Sequence, residues 1–269
     1  MKVEPHPLNT SFEWATPPGP FRRVTAEQAR QFDDLGFFVL EGAFDAPTIG
    51  KVRAEIDPFE EGTTTWLREK KGGRHVISDA DAITFTTHLV TKSPLLRDFV
   101  SGPVFTDLCA DLVGPDVRLY WDQAVYKKPE KPQPFPWHQD NGYTFVEPQQ
   151  YLTCWCALTD ATEENGCPQV VPGLHKRGTL KHRWTEYGFQ CVDDPEGALP
   201  AEASAGSIVV FSSLTPHLTG PNVTDSVRKA YIVQFAPDGA VAVRDGGVRE
   251  TQDDPDRQFP ILSEGQPTS

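Results

Sequence analysis

Short apolar runs dominate the second half of the chain. Segments 117–126, 137–140, 151–158, 168–171, 208–211 and 227–235 each read as a strand. Turn-forming pairs separate them: Lys131-Pro132, Asn141-Gly142, Asn165-Gly166, Pro172-Gly173 and Gly220-Pro221-Asn222. Strands of this length and spacing predict a mainly β fold, either a double sheet or a barrel. The first half is patterned differently. Thr25 and Gln28 form a capping-box signature, and Gly36 suits the C′ position of the helix between them. Phe37-Phe38-Val39-Leu40 reads as a buried strand, and a second helix is predicted after Asp45, with Pro47 in its first turn. The Thr63-Thr64-Thr65 cluster and Gly72-Gly73 suggest loops in segment 61–92, where Gly73-Arg74-His75 could face a site. From Ser93 to Val113 the pattern predicts two short helices broken at Gly102-Pro103.

The same pattern divides the chain. Five prolines before Arg22 make 1–22 an extended arm, which Phe12 and Trp14 could pin to the body. Residues 23–237 are expected to form one domain. Within it, 174–205 carries little strand signal and reads as a lid-like insertion. Residues 238–269 are polar, with Gly246-Gly247 and a run of Asp, and read as a loosely held tail.

Composition narrows the function. The 269 residues include 21 Gly and 25 Pro, which favours a turn-rich fold over a helical bundle. A net charge of −13 argues against binding nucleic acid or an anionic membrane. No apolar run approaches the ~18 residues of a membrane span, and the first residues lack the apolar core of a signal peptide. Five Cys, two of them in Cys154-Trp155-Cys156, do not read as a disulfide framework. The expected location is a reducing cytoplasm, and the expected partner is a small molecule.

Three features could carry chemistry. In Trp137-His138-Gln139-Asp140, strand alternation puts His138 and Asp140 on one face, an imidazole beside a carboxylate. That is two-thirds of a facial triad for non-haem iron; a surface ion pair is the competing use. His217, in Thr215-Pro216-His217-Leu218-Thr219, could supply the third ligand or be a turn histidine satisfied by backbone. Arg228 opens a strand and shares parity with Ala230, Ile232 and Gln234, while Tyr231, Val233 and Phe235 take the other face. An Arg facing a cavity needs a partner: either a protein acid or a dicarboxylate ligand bound through the guanidinium fork. Tyr126 and Lys128, just upstream, could line the pocket, although Lys127-Lys128 equally suits a solvated pair.

Together these residues resemble the phytanoyl-CoA dioxygenase family of Fe(II)/2-oxoglutarate oxygenases. His138-x-Asp140, His217 and Arg228 match its ligand spacing. The stretch from Trp155 through Asn165-Gly166 to Pro172-Gly173-Leu174-His175-Lys176 resembles its central signature, and Phe32 to Leu40 its opening motif. Leu174 stands where the family has Ser, and Cys167-Pro168 replaces the usual pairing after Asn-Gly. The resemblance implies a double-stranded β-helix, or jelly roll, with N-terminal helices packed on one sheet. It implies Fe(II) on His138, Asp140 and His217, with 2-oxoglutarate and O2 as co-substrates. Arg228 would pair with the distal carboxylate of 2-oxoglutarate, Thr219 would add a hydrogen bond, and Trp155 and Gln139 would support the cofactor site. The implied activity is oxidation, by default hydroxylation, of a small metabolite, in the setting of natural-product tailoring. The other class that fits is a non-catalytic jelly-roll binding protein with a vestigial metal site.

Overall fold

The structure is a computed structural model that describes residues 3–268. Helix α1 (Ala26–Leu35) is capped by the predicted Thr25–Gln28 box. Helix α2 (Ala46–Arg68) starts at Asp45, whose carboxylate accepts from the Thr48 N–H at 2.9 Å. Helices α3 (Pro94–Val100) and α4 (Pro103–Leu112) meet at the predicted break. These helices cover one face of a large antiparallel sheet. Its central strands run in the order Phe37–Leu40, Ile208–Ser212, Leu152–Ala157, Arg228–Pro237, Val117–Lys127 and Ile83–Thr87. The opposite face looks onto a smaller sheet ordered Leu199–Pro200, Pro168–Val170, His217–Thr219, Phe135–His138. The architecture is the jelly roll implied by the family resemblance.

Strand alternation sorts the core into two layers. Tyr231, Val233 and Phe235 pack with Phe32, Ile56 and Leu108 under the helices. Ala230 and Ile232 face inward with Trp155, Phe135, Val170 and Phe211. The parity expected for the Arg228 strand therefore holds. Cys154 and Cys156 lie in the helix-side layer and Cys167 in the inner one, all three as free thiols.

Three expectations need correction. The Thr63–Thr65 region is helical, not a loop. Ile49, Val52, Ile56, Glu60, Thr64 and Leu67 form one buried stripe at helical spacing, and Thr64 Oγ1 donates to Glu60 Oε1 at 2.7 Å. Because part of the stripe is polar, its apolar periodicity is weak. Segment 174–205 is not strandless: Arg183–Thr185 and Gly188–Gln190 form a hairpin, and Leu199–Pro200 joins the small sheet. Nor is the tail loose. Val241–Val243 pairs with Phe145–Glu147, and Pro260–Ser263 with the Val117–Lys127 strand, burying Phe259, Ile261 and Leu262 in the main core. These apolar residues are too few to outweigh the polar composition around them.

The arm is tied down. Trp14 Nε1 donates to Asp33 at 2.8 Å, and its ring meets His175 edge-on at 4.4 Å. Gly36 shows why the opening motif requires glycine: its φ is +86°, and a Cβ there would lie 2.6 Å from His175 Nδ1 and Thr215 Oγ1. Thus the Pro172-Gly173-Leu174-His175 stretch docks on the end of α1, with His175 Nε2–H donating to the Asp33 carbonyl at 3.0 Å.

Burial lowers His175 to about 4, and His182, whose Nε2 accepts from the Gln139 N–H at 2.9 Å, also to about 4. Both groups bind fewer protons folded than unfolded. Their contribution is complete above about 6.5 and is lost as pH falls towards 4, at about 3 kcal/mol per group. The thermal midpoint of the metal-free protein is expected to drop steeply between pH 6.5 and 5, above the range where ordinary carboxylates titrate. The His175→Gln/His182→Gln variant should flatten that drop; an unchanged slope would remove these two imidazoles from the account.

Candidate active site

His138 is the last residue of the Phe135–His138 strand, and His217 the first of His217–Thr219. The two are direct register partners, which brings residues far apart in sequence face to face. Asp140 lies just beyond the strand, on a 3-10 turn. The expectation of one continuous strand through Asp140 is thus corrected. Gln139 keeps extended dihedrals (φ −107°, ψ 144°), so the alternation survives one residue past the strand and Asp140 still turns inward. Nε2 of each histidine is 3.8 Å from Asp140 Oδ1, and the three ligand atoms all lie within 4.8 Å of one another.

Each ligating group is oriented by its neighbours. His138 Nδ1 is 2.8 Å from the Pro136 carbonyl and His217 Nδ1 is 3.0 Å from the Thr215 carbonyl. A carbonyl can only accept, so both Nδ1 atoms carry the proton and both Nε2 lone pairs point free into the gap. Burial, reinforced by the facing His217, holds His138 well below the usual histidine range, which keeps it a neutral donor. Thr153 Oγ1 donates to Asp140 Oδ2 at 2.6 Å, leaving Oδ1 for the gap. Two neutral imidazoles and a carboxylate on three sides of a small space suit one divalent transition-metal ion.

Arg228 sits at the start of its strand, beside Lys127 in register. It is 1% exposed, and none of its three guanidinium nitrogens has a partner among the described residues. Its Cζ lies 5.0 Å from the Trp155 ring centre. Burial lowers it to about 10, so it is still a cation at neutral pH. A buried, unpaired charge is strongly unfavourable unless a ligand completes it, and a carboxylate fits the guanidinium fork.

The structure places the other expected residues unevenly. Thr219 is buried on the small sheet, and its hydroxyl accepts from Lys127 Nζ at 2.9 Å. Gln139 is not part of the cavity. Its side chain turns to the opposite side, donating to the Gly178 and Leu214 carbonyls and accepting from the Leu180 N–H at 2.6 Å. Alternation dictates this, since its two neighbours point inward. Tyr126 and Lys128 likewise face the helices, bonding Asp57 and Glu60. The inward residues of that strand are Gln123, Val125 and Lys127. Sequence reasoning missed Lys127, although its parity with Gln123 was readable.

A cavity of about 300 Å³ opens onto His138 and Asp140. Ile77, Phe85, Trp121, Phe135, Tyr143 and Tyr151 supply much of its wall, with the amides of Gln123 and Gln234 as polar points. Among the described residues Asp140 is the only acid lining it, and no Lys or Arg lines it. A larger cleft of about 740 Å³ lies under the N-terminal arm, and no residue of the triad lines it.

The jelly roll and its His-Asp-His cluster are those of a non-haem iron oxygenase that uses 2-oxoglutarate. The sequence profile of the phytanoyl-CoA dioxygenase (PhyH) family matches residues 32–230. The chain belongs to that family. A probable alpha-ketoglutarate-dependent hypophosphite dioxygenase of Stutzerimonas stutzeri is 26% identical over 233 residues, covering 78% of each chain. Ectoine dioxygenase of Bordetella parapertussis is 25% identical over 225 residues, covering 75% of this chain and 71% of that one. Among solved structures, the non-heme alpha ketoglutarate dependent carbocyclase SnoK from nogalamycin biosynthesis aligns with a TM-score of 0.68 at 23% identity, covering 83% of this chain and 89% of that one. The epimerase SnoN, in complex with Fe3+, alpha ketoglutarate and nogalamycin RO, aligns with a TM-score of 0.67 at 20% identity, covering 84% and 93%.

Proposed function

We propose that the protein is an Fe(II)- and 2-oxoglutarate-dependent oxygenase that hydroxylates an uncharged, largely apolar small molecule in natural-product tailoring. The observation that carries this is the convergence of His138, Asp140 and His217, together with a buried guanidinium that has no partner among the described residues. In this reading the triad holds Fe(II) and Arg228 takes the distal carboxylate of 2-oxoglutarate. When bound, the iron, with 2-oxoglutarate and O2, supplies the oxidising chemistry, and 2-oxoglutarate leaves as succinate and CO2.

The protein's part is placement. The Pro136 and Thr215 carbonyls and the Thr153 hydroxyl hold the ligands in register. Trp155 supports the guanidinium with its ring, and Thr219 offers a hydroxyl to the same carboxylate. The aromatic walls shed water around the substrate, and the Gln123 and Gln234 amides orient it. Among the described residues no cationic side chain lines the cavity, which gives a phosphonate or an acyl-CoA nothing to pair with. Use in natural-product biosynthesis is supported by SnoK and SnoN, which share the fold.

Segment 174–205 serves as the cover. Tyr143, in the cavity wall, accepts from the Phe189 N–H at 3.2 Å, and Arg74 reaches across to the Glu186 carbonyl. A cytoplasmic setting agrees with five free cysteines. Among the described residues no helix is long and apolar enough to cross a membrane.

Anaerobic addition of Fe(II) and 2-oxoglutarate should give the weak visible charge-transfer band of their chelate. Succinate release should then rise with neutral polycyclic or aromatic compounds and not with acyl-CoA thioesters or phosphonates. No band and no 2-oxoglutarate affinity would return the protein to the class of binding proteins with a vestigial site.

A further inference from the structure

Resting on that reading of Arg228, we infer that Lys127 is the positioning residue of the co-substrate site: its ammonium fixes the Thr219 hydroxyl as a hydrogen-bond donor to the distal carboxylate and adds a second positive charge beside Arg228. Lys127 is 1% exposed, and Arg228 is its register partner on the adjacent strand. No ion pair involving either residue is present among the described residues. Burial, reinforced by the neighbouring Arg228 charge, holds the Lys127 amine well below the usual lysine range, so the two cations are mutually unfavourable until a ligand compensates them. Such a pair matches a ligand that carries negative charge.

The hydrogen bonds of Lys127 give it a specific task. Its Nζ donates to the Thr219 carbonyl at 2.9 Å, to Thr219 Oγ1 at 2.9 Å and to the Gly220 carbonyl. All three ammonium protons are then used, so the amine has no proton left for the ligand. With its oxygen occupied as an acceptor, Thr219 keeps its own hydroxyl proton to give away. Lys127 thus acts on the ligand through Thr219 and through its charge. Its backbone is held as well, because Asn222 Nδ2 donates to the Lys127 carbonyl at 2.9 Å. Gly166 closes over the stem: a Cβ there would lie 2.9 Å from Lys127 Cδ and 2.4 Å from the Gly220 carbonyl oxygen. The Asn165-Gly166 turn of the central signature therefore has a stated role, to let this lysine seat.

The test is anaerobic calorimetry on Fe(II)-loaded protein with two probes, 2-oxoglutarate and 2-oxobutyrate, which lacks the distal carboxylate. Lys127→Met should weaken 2-oxoglutarate by about 10- to 100-fold, the scale of one charge-assisted hydrogen bond, and leave 2-oxobutyrate nearly unchanged. Thr219→Val should show the same selective loss, and Lys127→Met should add little in that background beyond the charge effect. Thr219→Ser, which keeps the hydroxyl, should restore most of the affinity. Equal loss for both probes would make Lys127 a structural lysine and overturn the inference. If Lys127→Met does not fold, Thr219→Val decides alone: wild-type 2-oxoglutarate affinity there overturns it. Arg228→Ala separates the two levels. Should it bind 2-oxoglutarate like wild type, the co-substrate reading itself fails. Should it lose the ligand while the Lys127 and Thr219 variants keep it, only this inference fails.

Discussion

Asp140→Ala should leave a folded protein with almost no turnover. The carboxylate is the one anionic group in the triad, with Oδ1 at 3.8 Å from both histidine Nε2 atoms. Removing it leaves two neutral nitrogens to hold a divalent cation, and hard oxygen ligation sets both affinity and geometry. Even residues that merely orient metal ligands cost about 10- to 100-fold when mutated, so loss of the ligand itself should exceed that range. The fold has little stake in Asp140. Its hydrogen-bonding neighbour Thr153 stays within 3.4 Å of Gln234 Nε2, and the backbone N–H of Tyr143 bonds the Asp140 carbonyl, which alanine retains. Turnover per iron, set against wild type with circular dichroism as the fold check, decides the matter. Residual iron binding by the two histidines is compatible with the assignment; wild-type turnover in a folded Asp140→Ala protein is not.

How much of this was legible in the sequence depends on which force sets each element. The strands that build the site were readable because burial on both faces, or on one, writes itself as apolar runs, and the turns between them are chemically marked. The triad was readable as a pattern of residue types, yet the register that puts His217 opposite His138 is a long-range pairing that no local window contains. Three kinds of feature were hidden. Helix α2 buries Glu60 and Thr64 through their mutual hydrogen bond, so its inner stripe looks polar. The C-terminal strand contributes only Ile261 and Leu262 to the core, within a polar context. Lys127 and Gln139 were misjudged by strand parity, where one residue separates the cavity from the far side: Gln139 donates to the Gly178 and Leu214 carbonyls, while Lys127 turns inward to the Thr219 hydroxyl. A one-residue shift reverses every side chain on a strand, which is why sites on strands are harder to assign than the strands themselves.

Arg228→Ala should abolish useful 2-oxoglutarate binding while sparing the metal. The guanidinium is buried, its three nitrogens lack an acceptor among the described residues, and the indole of Trp155 stands 5.0 Å away. A charged pair formed in such a place is poorly screened. Truncating one partner of such a pair costs about 2–5 kcal/mol, or roughly 30- to several-thousand-fold in affinity. Arg228→Lys should recover only part of this, because a point ammonium cannot reproduce the two parallel N–H donors that match a carboxylate. Stability should respond in the opposite direction. In the ligand-free protein the buried cation is uncompensated, so an apolar Arg228→Met substitution should hold or raise the thermal midpoint. The wild type should then gain stability when 2-oxoglutarate is added, by mass action on the folded state, and the Arg228 variants should not. The measurement is a thermal-shift titration of the Fe(II)-loaded protein under anaerobic conditions, paired with iron content per chain. If Arg228→Ala retains both the wild-type dissociation constant and the wild-type thermal shift, the guanidinium does not hold the co-substrate.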